Sequence, residues 1–160
     1  MAAIFQSPEI IASVPARQGH EAGSVFAFCN SIDILANPTA ADTYEFGLVP
    51  AGATVIGGWI YAPDLDTDST ETLNMDIGWQ GNGVEAADPD GFGNLGVLVG
   101  DVAAGNSSRI VSLLIPLQGV LQVTGPQTFT RETLIEMVCN VTAATGGTGI
   151  VTIQVQYLCR

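Results

Sequence analysis

The chain has 160 residues, of which 47% are hydrophobic, and a formal net charge of −12 with no lysine. Four arginines spread over this length exclude the basic patch that nucleic-acid binding requires. The length fits one domain with a full core, and the pairing of apolar content with acidic charge favours a subunit that buries surface against partners and keeps an acidic face outward.

The first segment shows no regular period, because Pro8, Pro15 and Gly19 interrupt its apolar runs. This pattern predicts an extended N-terminal arm over residues 1–23, followed by a single domain over residues 24–160. An arm without a core of its own is ordered only when it lies on another surface. We therefore expect the arm to contact a neighbouring subunit, and the alternative is a frayed tail.

Strand signals begin after the arm. Residues 24–30 form a solid apolar run, which is typical of a strand buried on both faces. Residues 43–49 alternate between apolar and polar positions, as a half-buried strand does. Residues 53–62 are apolar on both faces, and Gly57 and Gly58 within them favour a bulge or a close backbone approach.

The second half of the chain continues the β pattern. Its strands are separated by turns, whereas an α/β protein would have helices between them. Turn-separated strands indicate antiparallel pairing, so the sequence predicts an all-β, two-sheet sandwich of jelly-roll type. The next predicted segments are a clean alternating strand at residues 73–80 and a glycine-rich acidic connection at 81–105, whose centre at 95–102 forms a short helix or strand. They are followed by a strand at 109–117, by one strand or a strand with a bend at 128–142, by a tight turn at 146–149 and by a final strand at 149–159.

One constellation resembles a metal site. Asp64, Asp66, Asp68 and Glu71 carry hard oxygen ligands at the alternate spacing that calcium loops use. The glycine of an EF-hand loop is missing, because position six is Ser69. A solvated acidic turn explains the same residues and is the favoured interpretation, with calcium as the alternative.

The remaining chemistry-bearing residues point to no cofactor. Cys29, Cys139 and Cys159 lie in strand-like runs without CxxC spacing, which predicts buried free thiols. His20, the only histidine, lies in the arm, so neither a zinc site nor a histidine-activated nucleophile is supported. No spacing singles out a pair among the sixteen carboxylates, so we expect no enzyme.

Residues 91–96 match the letters GxGxxG, but they follow an acidic turn predicted at residues 88–91. A dinucleotide site needs a strand before the glycines and a helix after them, and neither fits an all-β pattern. Trp59 and Trp79 offer aromatic surface that sugars bind. Both fall on the inward register of their strands, so packing in a core or an interface is the favoured interpretation.

Several phrases along the chain resemble, in their order, a class of small phage virion proteins. These phrases are Leu73-Asn74-Met75-Asp76-Ile77-Gly78, Asp88-Pro89-Asp90-Gly91-Phe92, the final strand from Gly149 to Tyr157, and the earlier segment from Val49-Pro50-Ala51-Gly52-Ala53 to Tyr61. Together they cover residues 40–158 at the level of pattern. The resemblance implies a head decoration, or capsid cement, protein: a β-sandwich that is often trimeric, binds the major capsid protein and catalyses nothing.

The resemblance defines no catalytic residues, so none are carried over to this chain. It leads us to expect a homotrimer on the capsid surface of a virion, made in the host cytoplasm. No cofactor, nucleic acid or membrane is expected, since no apolar run approaches the roughly 18 residues of a spanning helix. The alternative is a receptor- or carbohydrate-binding module of a phage tail or fibre. The predicted interface residues are Ile4, Phe5, Ile10, Ile11, Val14, Ile56, Trp59, Ile60 and Tyr61.

Overall fold

The computed structural model describes residues 4–6, 24–68, 70, 72–97 and 113–159. Strands dominate these residues, and the helical content is a single short turn, α1, at Val120–Val123. The strands are β1 Ile4–Gln6, β2 Val25–Ile34, β3 Thr43–Val49, β4 Ala53–Ala62, β5 Asn74–Trp79, β6 Asp88–Val97, β7 Leu113–Pro116, β8 Gln127–Thr128, β9 Thr133–Val141 and β10 Gly149–Cys159.

The strands form two sheets. One has the order β1-β3-β9-β5-β6, and the other has the order β2-β10-β4-β7, with β8 also paired to β4. Every pair is antiparallel except β1 with β3, which is parallel. The predicted all-β, two-sheet sandwich is therefore confirmed.

The pairing is nested along the chain. The innermost pair is β5 with β6, followed outward by β4 with β7, β3 with β9 and β2 with β10. Such nesting is what a single long hairpin gives when it rolls up, because its successive pairs then fall alternately on two facing sheets. This is the jelly-roll arrangement that the spacing of strands predicted.

The core lies between the two sheets. Alternate residues of β10 are buried (Val151, Ile153 and Val155), and they belong to one hydrophobic cluster with Phe46 of β3 and Ile77 of β5. This period of two is the strand pattern read in the sequence for residues 149–159. Complete burial of an aliphatic side chain stabilises the fold by roughly 1.5–3 kcal/mol, so the facing strands hold each other in place.

An aromatic cluster closes one part of this core. Trp79 lies 5.0 Å from Phe92 and 5.2 Å from Phe129, measured between ring centroids, and only 4% of its surface is exposed. Its indole Nε1 donates a hydrogen bond of 3.0 Å to the carbonyl of Ala86. The prediction that Trp79 packs in the core is confirmed.

The bulge expected from the glycines of β4 is present. Opposite β10, Gln156 pairs with Gly57 and Tyr157 with Val55, so Ile56 is the extra residue. Gly58 has φ +150°, and a Cβ there would lie 2.1 Å from the carbonyl oxygen of Gln154. Only glycine fits so close an approach of two backbones.

Three predictions of local structure need correction. The strand predicted at residues 24–30 continues to Ile34, and only one of its faces is buried. The acidic turn predicted at residues 88–91 is the beginning of β6, which pairs with β5 through two register shifts. The long strand predicted at residues 128–142 is divided into β8 and β9.

The N-terminal segment is described only where it forms β1. These residues lie along β3 of the same chain, and the side-chain amide of Gln6 donates to the carboxylate of Glu45. Residues 7–23 lie outside the described residues, so the division into an arm and a domain stays a prediction. Nothing helical in the described part of the chain has the length and hydrophobicity that a membrane crossing requires.

Candidate assembly surfaces

The outer surface of β2, β10 and β4 is almost uncharged, and we call it the neutral face. Along β2, the buried residues Phe28, Ile32 and Ile34 alternate with exposed ones, so the exposed set faces away from the core. The neutral face comprises Val25, Ala27, Cys29 and Ser31 of β2, Thr152, Gln154, Gln156 and Leu158 of β10, and Gly57, Trp59 and Tyr61 of β4.

The neutral face is ordered in rows across the sheet. Gln154 stands between Cys29 and Trp59, its register partners on the two neighbouring strands. In the next row, the hydroxyls of Ser31 and Thr152 lie 2.8 Å apart and share a hydrogen bond. Amide, hydroxyl and aromatic groups therefore form this surface, and the outward-facing Asp33 of β2 lies one row beyond it.

The predicted interface residues of β4 divide between this face and the core. Trp59 and Tyr61 are half-buried and point outward, and Ile56 is half-buried at the bulge. Ile60 is fully buried between the sheets, so its side chain packs within the subunit. The inward register predicted for Trp59 is wrong, because its neighbours Ile60 and Ala62 occupy the core positions.

The predicted interface residues of the arm are mostly outside the described part of the chain. Ile4 of β1 is 64% exposed, which leaves its side chain open to a partner. Phe5 is described only by its backbone, which pairs with Tyr44. Ile10, Ile11 and Val14 lie outside the described residues.

The side of the other sheet that faces away from the core carries three carboxylates, and we call it the acidic face. Glu45 of β3 and Glu136 of β9 are direct register partners, and Asp76 of β5 lies on the strand beside Glu136. All three carboxylates are buried, with exposed fractions below one tenth. Burial raises the pKa of Glu136 above its ordinary 4.5, and the charge of Glu45 raises it further.

Replacing Glu136 with glutamine is expected to stabilise the fold at neutral pH by on the order of 1 kcal/mol, because a buried carboxylate next to Glu45 is costly to ionise. In the wild type this penalty is absent below the ordinary pKa of 4.5 and grows as the pH rises through the raised value. Denaturant unfolding near pH 4.5 and at neutral pH measures it. The exposed Glu132 provides the control, Glu132→Gln. An equal stability of Glu136→Gln and wild type at neutral pH would contradict this account.

Asp66 belongs to the four-carboxylate pattern that resembled a calcium loop, and the fold uses it differently. Its carboxylate accepts backbone N–H bonds of 2.8 and 3.0 Å from Thr72 and Leu73, and of 3.0 Å from both Ala144 and Thr145. Burial acts to raise the pKa of Asp66, but these four donors outweigh it and lower the pKa below 3.8. Asp66 thereby joins two loops.

Asp64 and Asp68 accept fewer bonds than Asp66 does. Asp64 accepts the backbone N–H of Asp66, and Asp68 accepts the backbone N–H of Thr70 at 2.8 Å and the hydroxyl of Thr145 at 3.0 Å. Within the described ranges, no group of three metal-type side chains is close enough to hold an ion. Glu71 lies outside those ranges. The calcium alternative stays a prediction.

Glu85 joins two other loops in the same way. Its carboxylate accepts the hydroxyl of Thr130 at 2.7 Å and the backbone N–H of the same residue at 3.0 Å. The Thr130 hydroxyl, followed by the side chain of Asn82, lowers the pKa of Glu85 to about 2. Part of the acidic charge therefore stabilises the fold by accepting hydrogen bonds between loops.

The three cysteines do not share one environment. Cys139 is buried, and Cys159 is half-buried at the end of β10. Cys29 is exposed at the centre of the neutral face, which corrects the prediction that all three thiols are buried. The exposure of Cys29 was not predicted, because residues 24–30 form a solid apolar run. The alternation of Ser31, Ile32 and Asp33 just after that run indicates a strand with one outward face.

The GxGxxG letters of residues 91–96 lie inside β6, so no helix follows their first glycine. Gly91 instead makes room for Trp79, because a Cβ on Gly91 would lie 2.2 Å from the indole ring. The glycine therefore serves packing. The geometry that cradles a pyrophosphate is not present at these residues.

Comparison with solved structures places this fold among known ones. The chain aligns with a chain of the capsid of Ralstonia phage GP4 over 99% of both chains, with a TM-score of 0.74 and 18% identity. The fold is that of chains in phage capsids. A chain of the cyanophage Pam1 capsid asymmetric unit aligns at a TM-score of 0.65 and 24% identity, covering 91% of this chain and 92% of that one.

A third similar structure is the acid-stable capsid of Helicobacter pylori bacteriophage KHP30. It aligns at a TM-score of 0.58 and 13% identity, covering 86% of this chain and 90% of that chain. A scan against protein-family models finds no match, and a search of curated protein sequences finds none either. The shared jelly roll is thus recognised by its shape, and the predicted similarity to small phage virion proteins is confirmed at the level of the fold.

Proposed function

We propose that this chain is a structural protein of a phage virion, a decoration or cement subunit that self-associates as a homotrimer and binds the lattice of the major capsid protein. The observation that carries the proposal is the alignment of nearly the whole chain with a chain of a phage capsid. The neutral face adds a surface suited to contact between proteins. The stabilising mechanism is burial of apolar and neutral polar surface across joints of the lattice.

The placement on the outside of the shell is supported by charge. Packaged nucleic acid is a polyanion, and Arg131 is the only basic side chain within the described residues. An acidic chain is repelled from the inner surface of a filled head. The outer surface of the capsid is therefore the proposed location.

Deleting residues 1–19 is expected to abolish capsid binding while the sandwich still folds. The buried core residues that the structure describes run from Phe28 to Tyr157, so we expect the sandwich to fold without residues 1–19. Co-sedimentation of the variant with shells of the major capsid protein from the same genome measures binding, and circular dichroism reports folding.

Val123→Ser is the matched control for this deletion, because Val123 is 84% exposed and lies outside the predicted interface. It should bind as the wild type does. Undiminished binding by the truncated chain would overturn the role given to the arm. Failure of the full-length chain to bind shells would overturn the proposed function itself.

A second candidate function is a receptor- or carbohydrate-binding module of a phage tail or fibre. The half-exposed Trp59 and Tyr61, two residues apart on the same face, favour it, since aromatic side chains side by side stack on sugars. Trp79 cannot contribute, because it is buried. Binding to a glycan array that is lost in Trp59→Ala would support this function over the first.

A further inference from the structure

The charges of this protein are distributed unevenly over its two sheet surfaces. The acidic face carries Glu45, Glu136 and Asp76 near its centre. The neutral face carries no charged side chain, and the nearest one, Asp33, pairs with Ile150 at its end. For a chain with a net charge of −12, an uncharged surface across three long strands requires an explanation.

The neutral face is suited to burial in a contact between proteins. Its hydroxyls and amides pair with each other, as Ser31 does with Thr152 at 2.8 Å and Gln156 with Gln154 at 3.2 Å. Polar groups that already have partners cost little to bury. Trp59 adds the kind of aromatic side chain that is enriched in the centres of interfaces.

The neutral face is large enough to form the centre of a contact. Its rows span about seven residues of β2 and of β10, which makes it about 23 Å long, and three strands make it about 14 Å wide, or on the order of 320 Å² before side-chain relief is added. A standard interface buries about 800 Å² per partner. The neutral face supplies about two fifths of that.

The charge pattern identifies the occupant. A second copy of this chain brings the same net charge of −12, so contact through surfaces with exposed carboxylates, such as those of Asp90 and Glu132, would place like charges together. The neutral face is where a neighbouring copy can approach without that repulsion. A partner with a basic surface would be drawn to the exposed carboxylates instead.

We propose that a second copy of this chain covers the neutral face, with Cys29, Gln154 and Trp59 at the centre of the contact. This inference rests on the self-association in the proposed function and names the surface that performs it. The exposed thiol of Cys29 provides a built-in probe.

The first test is labelling of the native protein with a maleimide, read by mass spectrometry for each cysteine. In the oligomer, Cys29 is expected to be protected at least tenfold relative to a sample diluted below the dissociation point. The buried Cys139 serves as the internal control, because it should stay unlabelled in both samples.

The second test places charge on the neutral face. Ala27→Asp with Cys29→Asp adds two carboxylates at exposed positions of the edge strand β2, and this variant is expected to sediment as a folded monomer. Ala27→Ser with Cys29→Ser keeps the face neutral and should retain the oligomer. Ala40→Asp with Ala51→Asp adds the same charge at exposed loop positions and should also retain it.

The outcomes separate this inference from the proposed function. An oligomer in which Cys29 reacts as fast as in the monomer would overturn the inference and leave the proposed function standing. A wild-type monomer at high concentration that still binds capsid shells would overturn the inference and the homotrimer, but not the capsid role. A stable oligomer that binds no shells would overturn the capsid role and leave the neutral face as the contact between copies.

Discussion

Trp79→Ala should lower the free energy of unfolding by about 4 kcal/mol, the middle of the range for removing a buried tryptophan. The indole contacts Phe92 and Phe129, and its Nε1 satisfies the carbonyl of Ala86. Alanine would leave both a cavity and an unpaired carbonyl. Denaturant unfolding followed by circular dichroism measures the loss.

Trp59→Ala provides the matched comparison, since Trp59 is half-buried on the neutral face. We expect it to cost less than about 1 kcal/mol in the dissociated subunit, as is usual for surface positions. It should also weaken the dependence of unfolding on protein concentration, because that dependence reports the oligomer. If Trp59→Ala destabilises the dissociated subunit as much as Trp79→Ala does, the assignment of Trp59 to the surface is wrong.

Asp66→Ala should lower the free energy of unfolding by about 3 kcal/mol, because four backbone N–H donors lose a charged acceptor. A hydrogen bond to a charged group is worth roughly 1.5–3 kcal/mol, and water replaces some of the bonds that are lost. Asp66→Asn should cost less, since one carbonyl oxygen remains. Asp68→Ala is the control, and its cost should stay below about 1 kcal/mol because its bonds lie at exposed residues.

The same carboxylate gives a pH signature. Because the pKa of Asp66 is lowered in the folded state, its stabilising effect is complete above 3.8 and is lost as the pH falls through the lower folded value. Asp66→Asn should remove this part of the acid dependence. Addition of EDTA should leave the unfolding midpoint of the wild type unchanged. A fall in the midpoint on chelation would instead favour calcium at Asp64, Asp66, Asp68 and Glu71.

The strand pattern was predictable because alternation leaves a direct trace in the sequence. Residues 73–80 and 149–159 alternate cleanly, and the structure has β5 and β10 there. Turn signals misled the prediction at residues 88–91, where Pro89 and Gly91 fit a turn. Pairing with the neighbouring strand β5 overrides that local preference, with register shifts that accommodate these residues.

The two faces were harder to predict. Sequence alternation says which residues share a side, but it does not say which side meets the core when both are apolar. In β4, Trp59 and Ile60 are both large and mainly apolar, and which of them faces the core follows from their pairing with Gln154 and Ile153 of β10. Two of the four backbone partners of Asp66, Ala144 and Thr145, lie 78 and 79 residues further along the chain, so no local motif reveals them.

The nested pairing of strands also determines when the neutral face can form during synthesis of the chain. β10, at the end of the sequence, lies between β2 and β4, and so forms the middle of the neutral face. During synthesis, β2 and β4 emerge long before the strand that joins them, and pairing over such separations is slow. The surface that we assign to contact between copies therefore does not exist until β10 has been made and has paired with β2 and β4. Subunits become competent to associate through this surface only after that step, which separates folding from assembly in time.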